Sequence, residues 1–197
     1  VFLVHTAQTY RLKIAGLERE LPIVEVAPGL AIASFVILGD AELVEAVAPE
    51  LARRLPPVDY LVSAEAKGIP LVQEMSRLLG LKRYLVARKS VKPYMIDPLV
   101  TEVVSITTQK KQVLCFDGKD AAAVRGKKVA IVDDVISTGA SLEAVEHLVK
   151  TAGGIVVARA AILAEGEAAG RDDIIFLEKL PLFEPDSTTG RYVVKNG

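Results

Sequence analysis

The sequence predicts an α/β fold, a doubly wound and mainly parallel five-stranded sheet with a small β hood at its N-terminal side. Three observations carry this. Apolar runs alternate with helical periodicities from residue 60 to residue 177, the pattern of parallel strands linked by helices. The run Val129-Ala130-Ile131-Val132 passes into an acidic pair, a small hydroxyl-rich turn and then a helix. Residues 1–38 show short alternating segments broken by turn signals, as antiparallel strands do.

In the hood, Ala15-Gly16, Leu21-Pro22 and Pro28-Gly29 separate strands expected at 10–14, 23–26 and 31–35. Residues 40–55 read as a helix. Leu43, Val44, Val47 and Leu51 recur at helical spacing, Asp40 stands as N-cap, and Pro56-Pro57 mark its end. The core follows as strand 60–64, helix 70–79, strands 83–87, 113–116 and 128–133, helix 140–152, and strands 155–163 and 174–177. The stretch 89–112, with Pro93 and Pro98, is long for a connection in a compact domain and reads as a lid or a hairpin. The chain thus divides into a hood (1–38), a core (39–180) and a tail (181–197). Pro181, Pro185 and Gly190 suggest a tail that is partly disordered or packed on a neighbour.

Residues 129–141 carry the chemistry. Amides at the start of a helix lack intrahelical partners, and the helix dipole adds positive potential there. Ser137, Thr138 and Ser141 add hydroxyls, and Gly139 lets a ligand come close to the backbone. Together these make a phosphate cradle. The Walker pattern and the dinucleotide fingerprint are both absent. Asp133 and Asp134 repel phosphate but accept hydrogen bonds from hydroxyls, so cradle and acids together read as a site for a phosphorylated ribose. A plain strand–loop–helix with a capped helix would account for Ser-Thr-Gly alone, but not for two carboxylates at a strand end.

The segment resembles the phosphoribosyl-pyrophosphate (PRPP) motif of the type I phosphoribosyltransferases. Each position of 129–141 fits, with Ala140 where many members have Gly. Further matches are to the purine branch, the adenine and xanthine enzymes. Val58 to Lys67 with Gly68 resembles that branch's first strand and pyrophosphate loop, and Arg88-Lys89 with Lys92 and Pro93 its basic segment. Ser105-Ile106-Thr107-Thr108-Gln109 resembles the returning mobile loop, and Gly170-Arg171-Asp172 a late segment near the base pocket. The likeness spans roughly residues 58–180.

The resemblance implies transfer of 5-phosphoribosyl from PRPP to a purine, with release of pyrophosphate, in purine salvage. It implies PRPP contacts from Asp133, Asp134, Val135, Ile136, Ser137, Thr138, Gly139, Ala140, Ser141, Ala64, Glu65, Ala66, Lys67, Arg88 and Lys92. Asp133, Asp134, Lys67 and Arg88 would carry catalysis. Mg²⁺ would arrive with PRPP and need no direct protein ligand, and a homodimer is implied. Ile162 to Glu167 holds no lysine to meet a 6-oxo group, which favours adenine. The alternative is a PRPP-sensing regulator of the same fold, compatible with the acid-free stretch 105–111.

Composition excludes other classes. With 51% hydrophobic residues the chain suits a globular core, and a net charge of −1 gives no general attraction to nucleic acid or membranes. Cys115 is a lone cysteine in an apolar run, hence a core residue and no half of an internal disulfide. His5 and His147 are too scattered for a zinc site. Asp40 and Glu42 interrupt the longest apolar stretch short of membrane-spanning length, and Val1–Val4 is too short for a signal-peptide core. The cytoplasm is the expected compartment.

Overall fold

The computed structural model describes residues 8–104 and 111–195. Its centre is a parallel five-stranded sheet in the order β10-β9-β8-β4-β5. These strands are β4 (Tyr60–Ala64), β5 (Leu85–Ala87), β8 (Lys128–Ile136), β9 (Ile155–Glu165) and β10 (Ile175–Leu180). Helices α1 (Ala41–Ala52) and α2 (Ile69–Leu78) pack on one face and α4 (Ala140–Thr151) on the other, so each face has its own apolar core.

Each helix follows from its stripe. Leu43, Val44, Val47, Ala48 and Leu51 are the buried face of α1, and the Asp40 carboxylate accepts from the Leu43 amide at 3.1 Å. Such a cap is worth about 1 kcal/mol. The helix ends three residues before the expected position. Arg54 and Leu55 bond back only three residues, to Leu51 and Ala52, which tightens the last turn. In α4, Leu142, Val145, Leu148 and Val149 are buried, and Gly153 at φ +84° closes the helix in a left-handed turn.

The hood is larger than its N-terminal segments. It is an antiparallel sheet in the order β1-β2-β3-β11-β12, with β1 (Thr9–Ile14), β2 (Leu17–Ala27), β3 (Leu30–Ala33), β11 (Leu182–Pro185) and β12 (Tyr192–Val194). Residues 182–194 are therefore not a separate tail, because Leu182 and Phe183 pair with Ile32 and Ala31. Tyr192 donates its amide to the Gln8 side chain at 2.9 Å, which ties the end of the sheet to its beginning. Buried Phe183 meets Tyr10 edge-on, with ring centroids 5.6 Å apart.

Two further differences concern the middle of the chain. The strand expected at 113–116 does not join the central sheet; β7 (Lys111–Phe116) pairs with β6 (Leu99–Val104) as a hairpin and packs beside β5, with a bridge between Cys115 and Arg88 just past the end of β5. The returning segment Ser105–Gln109 lies outside the described residues. A short helix α3 (Gly118–Val124) follows the hairpin. It was not predicted, because its alanines show no apolar period. Cys115 is fully buried, as expected.

Phe183→Ala should remove about 3–5 kcal/mol of unfolding free energy, read from urea denaturation. A loss below about 1 kcal/mol would show that the hood does not depend on this packing.

Candidate active site

The site forms where β4, β5 and β8 end and their following turns converge. β8 runs to Ile136, three residues past the expected end, because β9 pairs with it as far as Ile136 opposite Ala164. Val135 and Ile136 are thus strand residues. Ile136 is buried in the α4-side core, and Val135 is half-buried and packs against the opposite one.

The two carboxylates face the turn that follows β4. Lys67 Nζ stands 2.9 Å from Asp134 Oδ2, an ion pair whose carboxylate is only 4% exposed. A Cβ on Gly68 would lie 3.3 Å from Asp133 Oδ1 and 2.0 Å from Ser63 Oγ. Glycine is required there because the turn crosses so closely over β4 and β8. Asp133 Oδ1 also accepts the Asp134 amide at 2.9 Å. Both acids are therefore packed against the Ala66–Gly68 turn, and a diol reaches Asp134 only if Lys67 moves.

Burial, and next the neighbouring Asp134 charge, push the Asp133 carboxyl up to about 7, while the Asp134 amide and Lys67 oppose the rise. Glu165, at the end of β9, is 5% exposed, and its Oε1 has no hydrogen-bond partner among the described residues. Burial raises its pKa against the pull of Lys67.

Glu65 is an organiser of cations. It holds Arg88 Nε at 3.2 Å and Lys92 Nζ at 3.9 Å and accepts the Lys89 amide at 3.0 Å. The Lys89 amide, then Arg88 and Lys92, keep its pKa below the usual carboxylate value. Its own amide is spent on Ala87, so neither its side chain nor its amide is available to an anion. Ala64 is buried at the end of β4 and supports the turn. The amides of Ala66, Lys67 and Gly68 have no acceptor among the described residues.

Beyond β8, Ser137, Thr138 and Gly139 form the turn, and Gly139 takes φ +84°. Their amides also have no acceptor among the described residues, and Thr138 Oγ1 accepts from Ala140 at 3.4 Å. Ser141 is exposed in the first turn of α4. Arg171 reaches this turn, with its Nη1 2.8 Å from where a Cβ on Gly139 would stand. Sequence spacing gave no sign of this, because Arg171 follows a short 3₁₀ turn after β9. Among the described residues no group of three or more His, Cys, Asp or Glu side chains could hold a metal ion.

A sheet edge with a cationic turn, paired acids and an amide-rich helix start defines a class that binds phosphorylated sugars. The comparisons give the family: the phosphoribosyl transferase domain matches residues 45–181, and the chain belongs to that family. Its relatives are purine enzymes. It is 33% identical over 144 residues to the xanthine phosphoribosyltransferase of Chloroflexus aurantiacus, covering 72% of this chain and 65% of that enzyme. It is 32% identical over 166 residues to the adenine phosphoribosyltransferase of Mycobacterium sp. strain KMS, covering 82% of this chain and 90% of that one. The adenine phosphoribosyltransferase structure from Thermoanaerobacter pseudethanolicus superposes with TM-score 0.60 at 26% identity, over 73% of this chain and 84% of that one.

Asp133→Asn should stabilise the protein increasingly with pH. The raised pKa means that the folded state keeps a proton that the unfolded chain loses above about 4. Its stabilising share is complete below that point and is lost as pH rises through about 7. Urea midpoints for variant and parent should be close at about pH 4, with the variant ahead by on the order of 1 kcal/mol at about pH 8. A gap that shrinks with pH would contradict the assigned burial of charge.

Proposed function

We propose that the protein transfers the 5-phosphoribosyl group from PRPP to a purine base, adenine in preference to 6-oxopurines, and releases pyrophosphate. The observation that carries this is the packing of the Lys67–Gly68 turn against Asp133 and Asp134, one residue group away from the amide-rich turn at 137–139. Adenine is supported by adenine enzymes among the relatives and by Glu165 in the stretch where a 6-oxopurine enzyme would offer a lysine.

In this reading the 5-phosphate rests on the amides of Ser137, Thr138 and Gly139 and the hydroxyls of Thr138 and Ser141. Pyrophosphate lies against the amides of Ala66, Lys67 and Gly68, with Arg88 and Lys92 gathered beside it by Glu65. Lys67 exchanges partners: it leaves Asp134 for the incoming pyrophosphate, and Asp134 becomes free for the ribose diol. Asp133 accepts the second hydroxyl. The anomeric carbon gains positive character as the C–O bond to pyrophosphate breaks, and a purine nitrogen forms the new bond. The chain's residues act by position and field: carboxylates below the sugar, cations around the leaving group.

Mg²⁺ would be carried by PRPP, whose diol and pyrophosphate oxygens are the hard donors it prefers, with no direct protein ligand needed. When bound it supplies neutralisation of the pyrophosphate charge. The reading includes a homodimer and a cytoplasmic place in purine salvage; exposed Val91, Tyr94 and Ile96 on the loop beside Lys92 support an interface.

Incubation with PRPP, Mg²⁺ and single purine bases should yield the adenine nucleotide by mass spectrometry. PRPP binding with no pyrophosphate released in the presence of any base would make the protein a sensor. The double variant Asp133→Asn, Asp134→Asn should lose at least about a thousandfold in turnover while remaining folded. Near-parental turnover would remove the ribose assignment.

A further inference from the structure

We propose that Arg171 is a 5-phosphate-binding residue that closes the amide cradle over Gly139 with a guanidinium fork. The proposal rests on the phosphoribosyl reading of the site. Four observations carry it. Arg171 Nη1 occupies the space beside Gly139 that any side chain there would need, 2.8 Å from the missing Cβ. Gly139 itself is fixed by its φ of +84°, and the guanidinium tip lies over the space that the glycine leaves open.

The guanidinium is also held in place. Asp173 accepts from Nε at 2.8 Å and from Nη2 at 2.7 Å, a two-point clamp that fixes the plane of the fork. Nη1 has no acceptor among the described residues, so the donor nearest the cradle is the one left unspent. Finally, Glu146, one of the acids near this guanidinium, is otherwise engaged. Glu146 is taken by Arg159 at 2.7 and 2.6 Å and by Lys150 at 2.7 Å. Glu143, in the first turn of α4, is exposed.

A phosphate dianion on the 137–139 amides would meet a rigid cation on its other side. Amides alone supply dipoles, whereas Arg171 supplies a full charge with a directed N–H. Lysine would keep the charge but not the clamp, because its single ammonium cannot engage Asp173 at two points and the phosphate as well.

Calorimetric titration separates the groups of the ligand. For the parent, ribose 5-phosphate and pyrophosphate are titrated in turn. Arg171→Ala should weaken ribose 5-phosphate by about tenfold or more, the loss expected for one charge-assisted contact. Its pyrophosphate affinity should stay within about twofold of the parent's. In turnover, KM for PRPP should rise by a similar factor while kcat changes less. Arg171→Lys should fall between the two, and serves as the second variant if the alanine protein does not fold.

Equal ribose 5-phosphate binding by parent and variants overturns the role of Arg171 alone. Parallel loss of pyrophosphate affinity in a folded variant overturns it too, by showing a general distortion. A parent that binds neither ribose 5-phosphate nor PRPP overturns the phosphoribosyl reading, and this proposal with it.

Discussion

The structure turns on the contact between the end of β8 and the turn after β4. Two adjacent carboxylates at the end of a buried strand repel each other, with Asp134 buried and Asp133 half-buried. The fold answers with one ammonium, from Lys67, and with a backbone approach so close that only Gly68 fits. The order β8-β4-β5 sets the spacing of both turns and of the Arg88 segment beyond. Removing Lys67 would leave Asp134 both buried and unpaired, the costly state for a charge.

This arrangement gives each charged residue a resting partner that resembles its expected ligand. Lys67 rests on a carboxylate, Arg88 and Lys92 rest on Glu65, and Arg171 rests on Asp173. A phosphorylated ligand replaces one acceptor with another, so the side chains are already ordered when it arrives. Less rotamer freedom is then lost on binding than with free lysines and arginines. Burial and the Asp134 charge both disfavour ionisation of Asp133 in this resting arrangement.

Much of this was legible in the sequence where the signal is local. The 129–141 run announced its strand, turn and helix because apolar continuity, small residues and helical spacing each have short-range causes. The strand at 60–64 and the helix expected over 40–55 were legible for the same reason, although that helix stops at Ala52. What stayed hidden depends on distant partners. Leu182–Pro185 has nothing in its composition to say that it pairs with Leu30–Ala33 across about 150 residues of chain. Lys111–Phe116 reads as a core strand, and only the pairing with Leu99–Val104 turns it into a hairpin. The site followed the same division. The acids, the Lys67 turn and Thr138 could be picked out, while the covering of Asp134 by Lys67 and the reach of Arg171 to Gly139 are facts of three-dimensional placement.

The amide of Gln8 also has a wider bearing. It joins the first strand of the hood to the last, so the two ends of the described chain hold one another. Terminal strands ordinarily fray independently. Here the loosening of either end would release the other, and the cap over the sheet would come away as a single cooperative piece instead of unravelling from one side.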